Sequence, residues 1–181
     1  MPLPRHRSLA GFAASLLCLL SLAGCSIIKS EDDRQFSSAA SWVLLPLDNY
    51  SQTPQASERA ESILTTLLRS RGITQLSLAP NDVAPDALPF QDNPRRYRQA
   101  LAWAQSRGAE FGVTGTIEEW RYKSGLDGEP AAGISLRVID IRSGDILWSA
   151  SAARSGWSRE SLSGNAQKVM RKLVDQLPLS D

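Results

Sequence analysis

The amino-acid sequence predicts a single α/β domain, a mixed β-sheet with the element order β-α-β-α-β-β-β-α and helices packed against the sheet. Three observations predict it. Apolar residues alternate between strand-like and helical periods up to residue 108. From Phe111 three strand-like segments follow one another with only turns between them. A last helical stripe closes the chain. Alternation followed by a meander implies parallel and antiparallel pairing in one sheet, with helices covering it.

The first strand is "WVLLPL", Trp42 to Leu47, a continuous apolar run of the kind buried on both faces. From Ala56 to Arg71, residues Ala60, Ile63, Leu64, Leu67 and Leu68 form an i, i+3, i+4 stripe, so this is an amphipathic helix ended by Gly72. "ITQLSL" alternates as a second strand, and the proline-rich "APNDVAPDALPFQD" is a loop. Asn93-Pro94 reads as a cap with proline at the first helical position, opening a helix to about Arg107. Its buried stripe is Tyr97, Ala100, Leu101 and Ala104, and Gly108 stops it.

Phe111, Val113, Gly115 and Ile117 then alternate, but Trp120 and Tyr122 fall on the opposite parity. Either a bulge near Glu118-Glu119 resets the strand, or its second half buries the other face. "SGLDGEPAAG" turns the chain into "ISLRVIDI", and "RSGD" turns it again into "ILWSASA". The last helix, Arg159 to Leu177, aligns Leu162, Ala166, Val169, Met170, Leu173 and Leu177. Trp42, Trp103, Trp120 and Trp148 lie inside these elements and are expected in the core.

The first 24 residues are of another kind. A basic patch (Arg5, His6, Arg7), an apolar run from Leu9 to Leu20 and then small residues make the layout of a secretory signal. The run is shorter than the roughly 20 residues that a membrane-spanning helix requires. Leu22-Ala23-Gly24-Cys25 at its end resembles the bacterial lipobox, in which the cysteine receives a diacylglycerol and an N-acyl chain. On that resemblance Cys25 is the lipidation site, residues 1–24 are the signal peptide, residues 25–40 a lipidated flexible tether, and residues 41–181 the periplasmic domain. Ser26 stands where an aspartate would resemble an inner-membrane retention signal, so the implied destination is the periplasmic face of the outer membrane.

Cleavage before Cys25 leaves 157 of the 181 residues, enough for one domain with its own core. With Arg5 and Arg7 gone, 18 basic residues face 19 acidic ones, a balance that gives no support to nucleic-acid binding. His6 and Cys18 leave with the signal, so the mature chain has no histidine and no free thiol. That excludes His-dependent triads, Cys-His catalysis and His/Cys zinc sites. No cofactor, metal or catalytic residue is expected, and phosphate-cradling glycine motifs are absent.

Two places carry residues with a functional reading. Glu118, Glu119, Asp127 and Glu129 read as solvated charges, as the acid pair of a glycosidase, or as a negative surface that repetition around a ring would intensify. Adjacent residues on a strand point to opposite faces, so Glu118 and Glu119 cannot share one bond unless a bulge intervenes. In "SGWSRE", Ser155 to Glu160, Ser158 followed by Ser161 reads as a cap that opens the last helix, and Trp157, which precedes it, is either a hydrophobic staple on the helix or a membrane-interface indole.

"ASWVLLPLDNYSQTPQASERAESILTTLLRSRG" and "GVTGTIEEWRYKSGLDGEPAAGISLRVIDIRSGDILWSASAARSGWSRESL", together with the lipobox, resemble the PelC family. These are outer-membrane lipoproteins of the Pel exopolysaccharide export system. The most specific stretch runs from "EEWRYK" through "DGEP" to "SGWSRE". The resemblance implies a fold similar to the amino-terminal domain of TolB and to the lipoproteins CsgG and LpoB, in agreement with the element order. It also implies a homo-oligomeric ring under the outer membrane, a cationic amino-sugar exopolysaccharide as cargo, and a PelB-like export porin with periplasmic helical repeats as partner. Outer-membrane lipid completes the expected partners. Asp127 and Glu129 are the candidate polymer-guiding acidic surface and Trp157 the candidate membrane contact. A CsgG- or LpoB-like lipoprotein serving another envelope partner is the alternative, and a carboxylate glycoside hydrolase a third.

Overall fold

The computed structural model describes residues 27–29, 34–80, 93–125, 128–157 and 159–180. In chain order the elements are β1 (Ile27–Lys29), β2 (Phe36–Ser37), β3 (Trp42–Asn49), α1 (Ala56–Ser70), β4 (Leu76–Leu78), α2 (Asn93–Ser106), β5 (Phe111–Tyr122), β6 (Pro130–Asp140), β7 (Ile146–Ser155), α3 (Leu162–Val174) and β8 (Leu179–Ser180). From β3 to α3 this is the predicted order.

The open sheet runs β1-β7-β6-β5-β3-β4. β3 pairs in parallel with β4 and β5, whereas β5, β6, β7 and β1 are antiparallel, so the sheet is mixed as expected. One face is covered by α1 and α3 over the larger cluster, which includes Trp42, Leu64, Ile117, Trp120, Ile134, Trp148, Val169 and Met170. On the other face α2 packs Ala100 and Ala104 on Val43, Leu45, Ile139 and Ile141, with Tyr97, Leu101 and Trp103 half-buried beside them. β3 is therefore buried on both faces, which is why its sequence is a continuous apolar run. Among the described residues no helix is long and apolar enough to cross a membrane.

Two bulges set which side chains share the core. Between Leu44 and Leu47 the register of β3 against β5 slips by one, placing Leu47 on the same face as Trp42 and Leu44. Pro46 sits in that slip, where a residue without an N–H is tolerated. Leu47 N–H finds the Glu61 carboxylate of α1 at 2.9 Å in place of a strand partner. The second slip lies between Ile117 and Glu119 against β6, which decides between the two readings of the parity change in favour of a bulge. Ile117 and Trp120 thereby face the same way and are both fully buried.

The end of α1 follows its sequence cue, whereas α3 spans only Leu162–Val174 within the expected Arg159–Leu177. α1 stops where Gly72 takes φ +95°, a left-handed conformation that glycine reaches without strain. Ile73 N–H then returns to Leu68 O at 3.3 Å.

The segment expected to be a tether is a correction. It contains β1 on the edge of β7 and β2 paired with β8. Phe36 is buried, edge-on to Phe111 and Trp42 with ring centroids 5.3 and 6.0 Å away. Trp42 Nε1 donates to Ser37 O at 3.0 Å, and Phe36 N–H and Ser38 N–H each donate 2.8 Å bonds to the chain around β8. The folded domain thus begins before residue 41, because one phenylalanine completes the aromatic cluster at the foot of the sheet.

Candidate polymer- and lipid-facing end of the sheet

β5 ends, β6 begins and β7 ends at the same edge of the fold, and two of the sequence-predicted site residues, Glu129 and Trp157, lie there. Lys123 N–H donates to Glu129 O at 2.7 Å, closing the β5–β6 connection, and Gly156 N–H donates to Pro130 O at 2.7 Å. Glu129 and Trp157 are thus brought together by the Pro130–Gly156 bond, although they are far apart in sequence. Glu129 is half-buried. Asp127 and Cys25 lie outside the described residues.

Trp157 is 78% exposed, which overturns its reading as a hydrophobic staple. The reason is where α3 starts. Ser161 is the cap, its Oγ accepting from Gly164 N–H at 3.1 Å, so the residue preceding the cap is Glu160. Tyr122 OH accepts from Leu162 N–H at 3.1 Å, satisfying a first-turn donor.

Beneath the exposed indole lies a polar cluster that sequence reasoning missed. Arg154 grips Glu160 with two bonds of 2.5 and 3.0 Å, and Lys168 reaches the same carboxylate at 3.3 Å. Asn165 is fully buried. It accepts from the Arg154 guanidinium and donates to Arg154 O at 2.9 Å and Pro130 O at 3.2 Å. Glu160 N–H also returns to Trp157 O at 2.8 Å. The Trp157 segment is therefore pinned to β6, β7 and α3. The only sequence sign was an asparagine next to Ala166 in the apolar stripe of the last helix.

Hydrogen bonds from Arg154, aided by Lys168, hold the Glu160 carboxyl at about 2, below its ordinary 4.5. Because the folded-state value is depressed, the stabilisation is complete above about pH 4.5 and is lost as pH falls toward 2. Glu160→Gln should lower the melting temperature at neutral pH and flatten its fall between pH 4.5 and 2, so that variant and parent converge in acid. Parallel curves would show that the pair contributes nothing. Asp48 and Glu61 act in the opposite sense, since burial raises both and favours folding as they protonate.

Glu118 and Glu119, adjacent on β5, are turned to different partners. Glu118 is exposed at the bulge and accepts from Thr116 and from Ser135 Oγ at 2.7 Å, while Glu119 pairs with Arg121 at 3.0 Å. Asp48 lies on β3, and Glu61 lies on α1, where it accepts from Leu47 N–H. An open cleft of about 560 Å³ at the other end of the sheet holds Glu110 and Asp140. There the Ser143 and Arg142 N–H groups, at 2.9 and 2.8 Å, keep the Asp140 carboxyl below its usual range, the wrong direction for a general acid. Among the described residues no group of three His, Cys, Asp or Glu side chains is placed to hold a metal.

A mixed sheet with two helices on one face and a third on the other is a fold found in bacterial lipoproteins. It is shared by lipoprotein GNA1162 from Neisseria meningitidis, at 21% identity over 76% of this chain and 96% of that one, TM-score 0.50. The PelC dodecamer from Paraburkholderia phytofirmans is far more similar: 32% identity, 87% of this chain, 99% of that one, TM-score 0.72. A leucine-to-methionine variant of that dodecamer gives 33%, 86%, 99% and 0.72. This chain belongs to the PelC family. No family profile matches the sequence, and no match emerges among curated proteins.

Proposed function

We propose that the protein is a non-enzymatic lipoprotein of an exopolysaccharide export complex. In this reading Cys25 carries the lipid that holds it to the periplasmic face of the outer membrane. Copies assemble into a ring and pass a cationic amino-sugar polymer to a PelB-like outer-membrane porin. Similarity to a PelC dodecamer over nearly the whole of that chain carries the proposal. The geometry adds that Glu129 and Trp157 share one end of the sheet, so a carboxylate ring and a membrane contact would lie side by side.

The mechanism is electrostatic. Carboxylates repeated around a ring focus a negative potential that concentrates a polycation, while each single contact stays weak enough for the chain to move on. Because a ring multiplies every substitution, charge changes at Asp127 and Glu129 act cooperatively on transport. Cells carrying Asp127→Asn with Glu129→Gln should secrete less polymer at normal protein level, and cells carrying both lysine substitutions less still. Full secretion by the lysine variant, at normal level and oligomer mass, would remove these residues from the pathway.

A further inference from the structure

We propose that the free edge of β4 is a docking site for a basic, extended segment of a partner protein, taken up as an added strand. β4 is the last strand of the sheet and pairs with β3 on one side only. Trp42 N–H donates to Gln75 O at 2.9 Å and Ala79 N–H to Leu44 O at 3.0 Å. In a parallel ladder alternate residues address the neighbour, so Gln75, Ser77 and Ala79 turn their backbone groups to β3, while Leu76 and Leu78 turn theirs outward. Arg69 Nη2 reaches Leu76 O at 3.4 Å, a contact long enough to be exchanged for a better one. Open edges are ordinarily blunted by lysine, proline or a bulge. β4 reads Leu-Ser-Leu, and Leu78 is 50% exposed. An apolar side chain on an unpaired edge is the arrangement that accepts a further strand.

Beside this edge runs a groove of about 430 Å³ between the strands and α1. Leu44, Pro46 and Leu78 line its apolar side, and α1 supplies Glu58, Glu61 and Thr65 as its polar wall. β4 stops at Leu78 while β3 continues to Asn49, so the groove extends along a stretch of β3 that no strand covers. There Leu47 N–H bonds to the Glu61 carboxylate instead of a strand.

Charge decides what kind of segment fits. The charged side chains described along the groove are both acids. Glu61 is committed to Leu47 N–H and has Arg96 of α2 near it. Glu58 accepts from the neutral Ser57 hydroxyl at 2.9 Å, a bond that leaves its charge available to a cation. In an added strand every second side chain lies over this wall. Lysine or arginine at those positions meets Glu58 favourably, whereas an acidic segment brings like charges together.

The test uses the full-length protein in detergent micelles and dye-labelled hexapeptide probes. These are an alternating lysine–valine peptide, its glutamate–valine counterpart, and the lysine peptide with its central valine replaced by proline. The lysine–valine peptide should bind about tenfold more tightly than either control. Its binding should slow amide exchange at Leu76 and Leu78. Leu78→Pro removes an outward donor and leaves Ser77 paired with β3, so binding should be lost with the melting temperature little changed. Glu58→Gln leaves both strands untouched and should weaken binding about fivefold, which keeps the test decisive if the proline variant unfolds. Equal binding of the glutamate peptide would overturn the basic partner, and equal binding of the proline peptide would overturn strand addition. Absence of binding, or slowed exchange away from β4, would overturn both. Leu76 and Leu78 amides that are slow in the assembled protein and fast once its copies separate would show a second copy on this edge, and would also overturn the proposal.

Discussion

Gly115→Ala is expected to destabilise the domain by about 3 kcal/mol or more, a large share of a domain's whole stability. Gly115 lies at the centre of the sheet, opposite Leu47 on β3 and Leu136 on β6. A Cβ built there would stand 2.0 Å from Ser135 O and 3.1 Å from Leu136 Cα. Both obstacles are backbone, so no rotamer change relieves them. β5 and β6 must move apart, against the roughly 4.8 Å spacing that their hydrogen bonds require. Ordinary overpacking costs about 1–3 kcal/mol, and a clash with a central strand lies at or beyond the top of that range, against about 5–15 kcal/mol for a whole domain. Gly133 is the control. There the nearest atoms are 3.5–3.7 Å away, ordinary contact distances, and Gly133→Ala should change stability by less than about 1 kcal/mol. Urea unfolding followed by circular dichroism separates the two. Similar midpoints for both variants would contradict the packing of β5 on β6.

Phe36→Ala should cost about 3–5 kcal/mol, the range for deleting a buried aromatic side chain. The ring is 1% exposed and meets Phe111 and Trp42 edge-on, an arrangement that adds to simple burial. Its backbone is tied to Pro178 O and its strand to β8, so the loss should also loosen the C-terminal residues. Phe36→Leu should cost less, and a chain truncated just before Ser41 should be as unstable as the alanine variant. Equilibrium denaturation gives the answer, and a loss below about 1 kcal/mol would mean that the segment is a leash after all.

Phe36 also shows why part of the fold was not legible in the sequence. A single apolar residue among serines and charges has no period, and its partner strand, Leu179–Ser180, lies at the far end of the chain. β1 has the same difficulty, since three residues cannot display alternation. By contrast, α1 and α3 each carry several turns of stripe, and the β5 bulge announced itself because Trp120 broke parity with Ile117. Pro46 was the overlooked sign of the β3 bulge, as proline does not sit comfortably in an unbroken buried strand.

The site divides in the same way. The Gly and Pro around Glu129 announced a turn, but nothing in the sequence placed that turn beside the end of β7. The sequence leaves Trp157 between staple and exposed tip, because a cap read at Ser158 puts the indole next to the first helical turn. The structure places the cap at Ser161 and the indole in solvent. The Arg154–Glu160–Asn165 cluster draws on β7, the loop and α3, and no local pattern in the chain brings those three together.

The central claim is that acidic side chains at this end attract a polycation, and a direct binding titration tests it. The assembled protein is titrated with a soluble cationic amino-sugar oligomer at two salt concentrations, alongside the Asp127→Asn, Glu129→Gln variant. Salt shortens the screening length from about 10 Å at 0.1 M to about 3 Å at 1 M. The account predicts binding at 0.1 M that largely disappears at 1 M and is weakened several-fold in the neutralised variant. Binding that ignores salt, or that the neutralised variant retains in full, would contradict it.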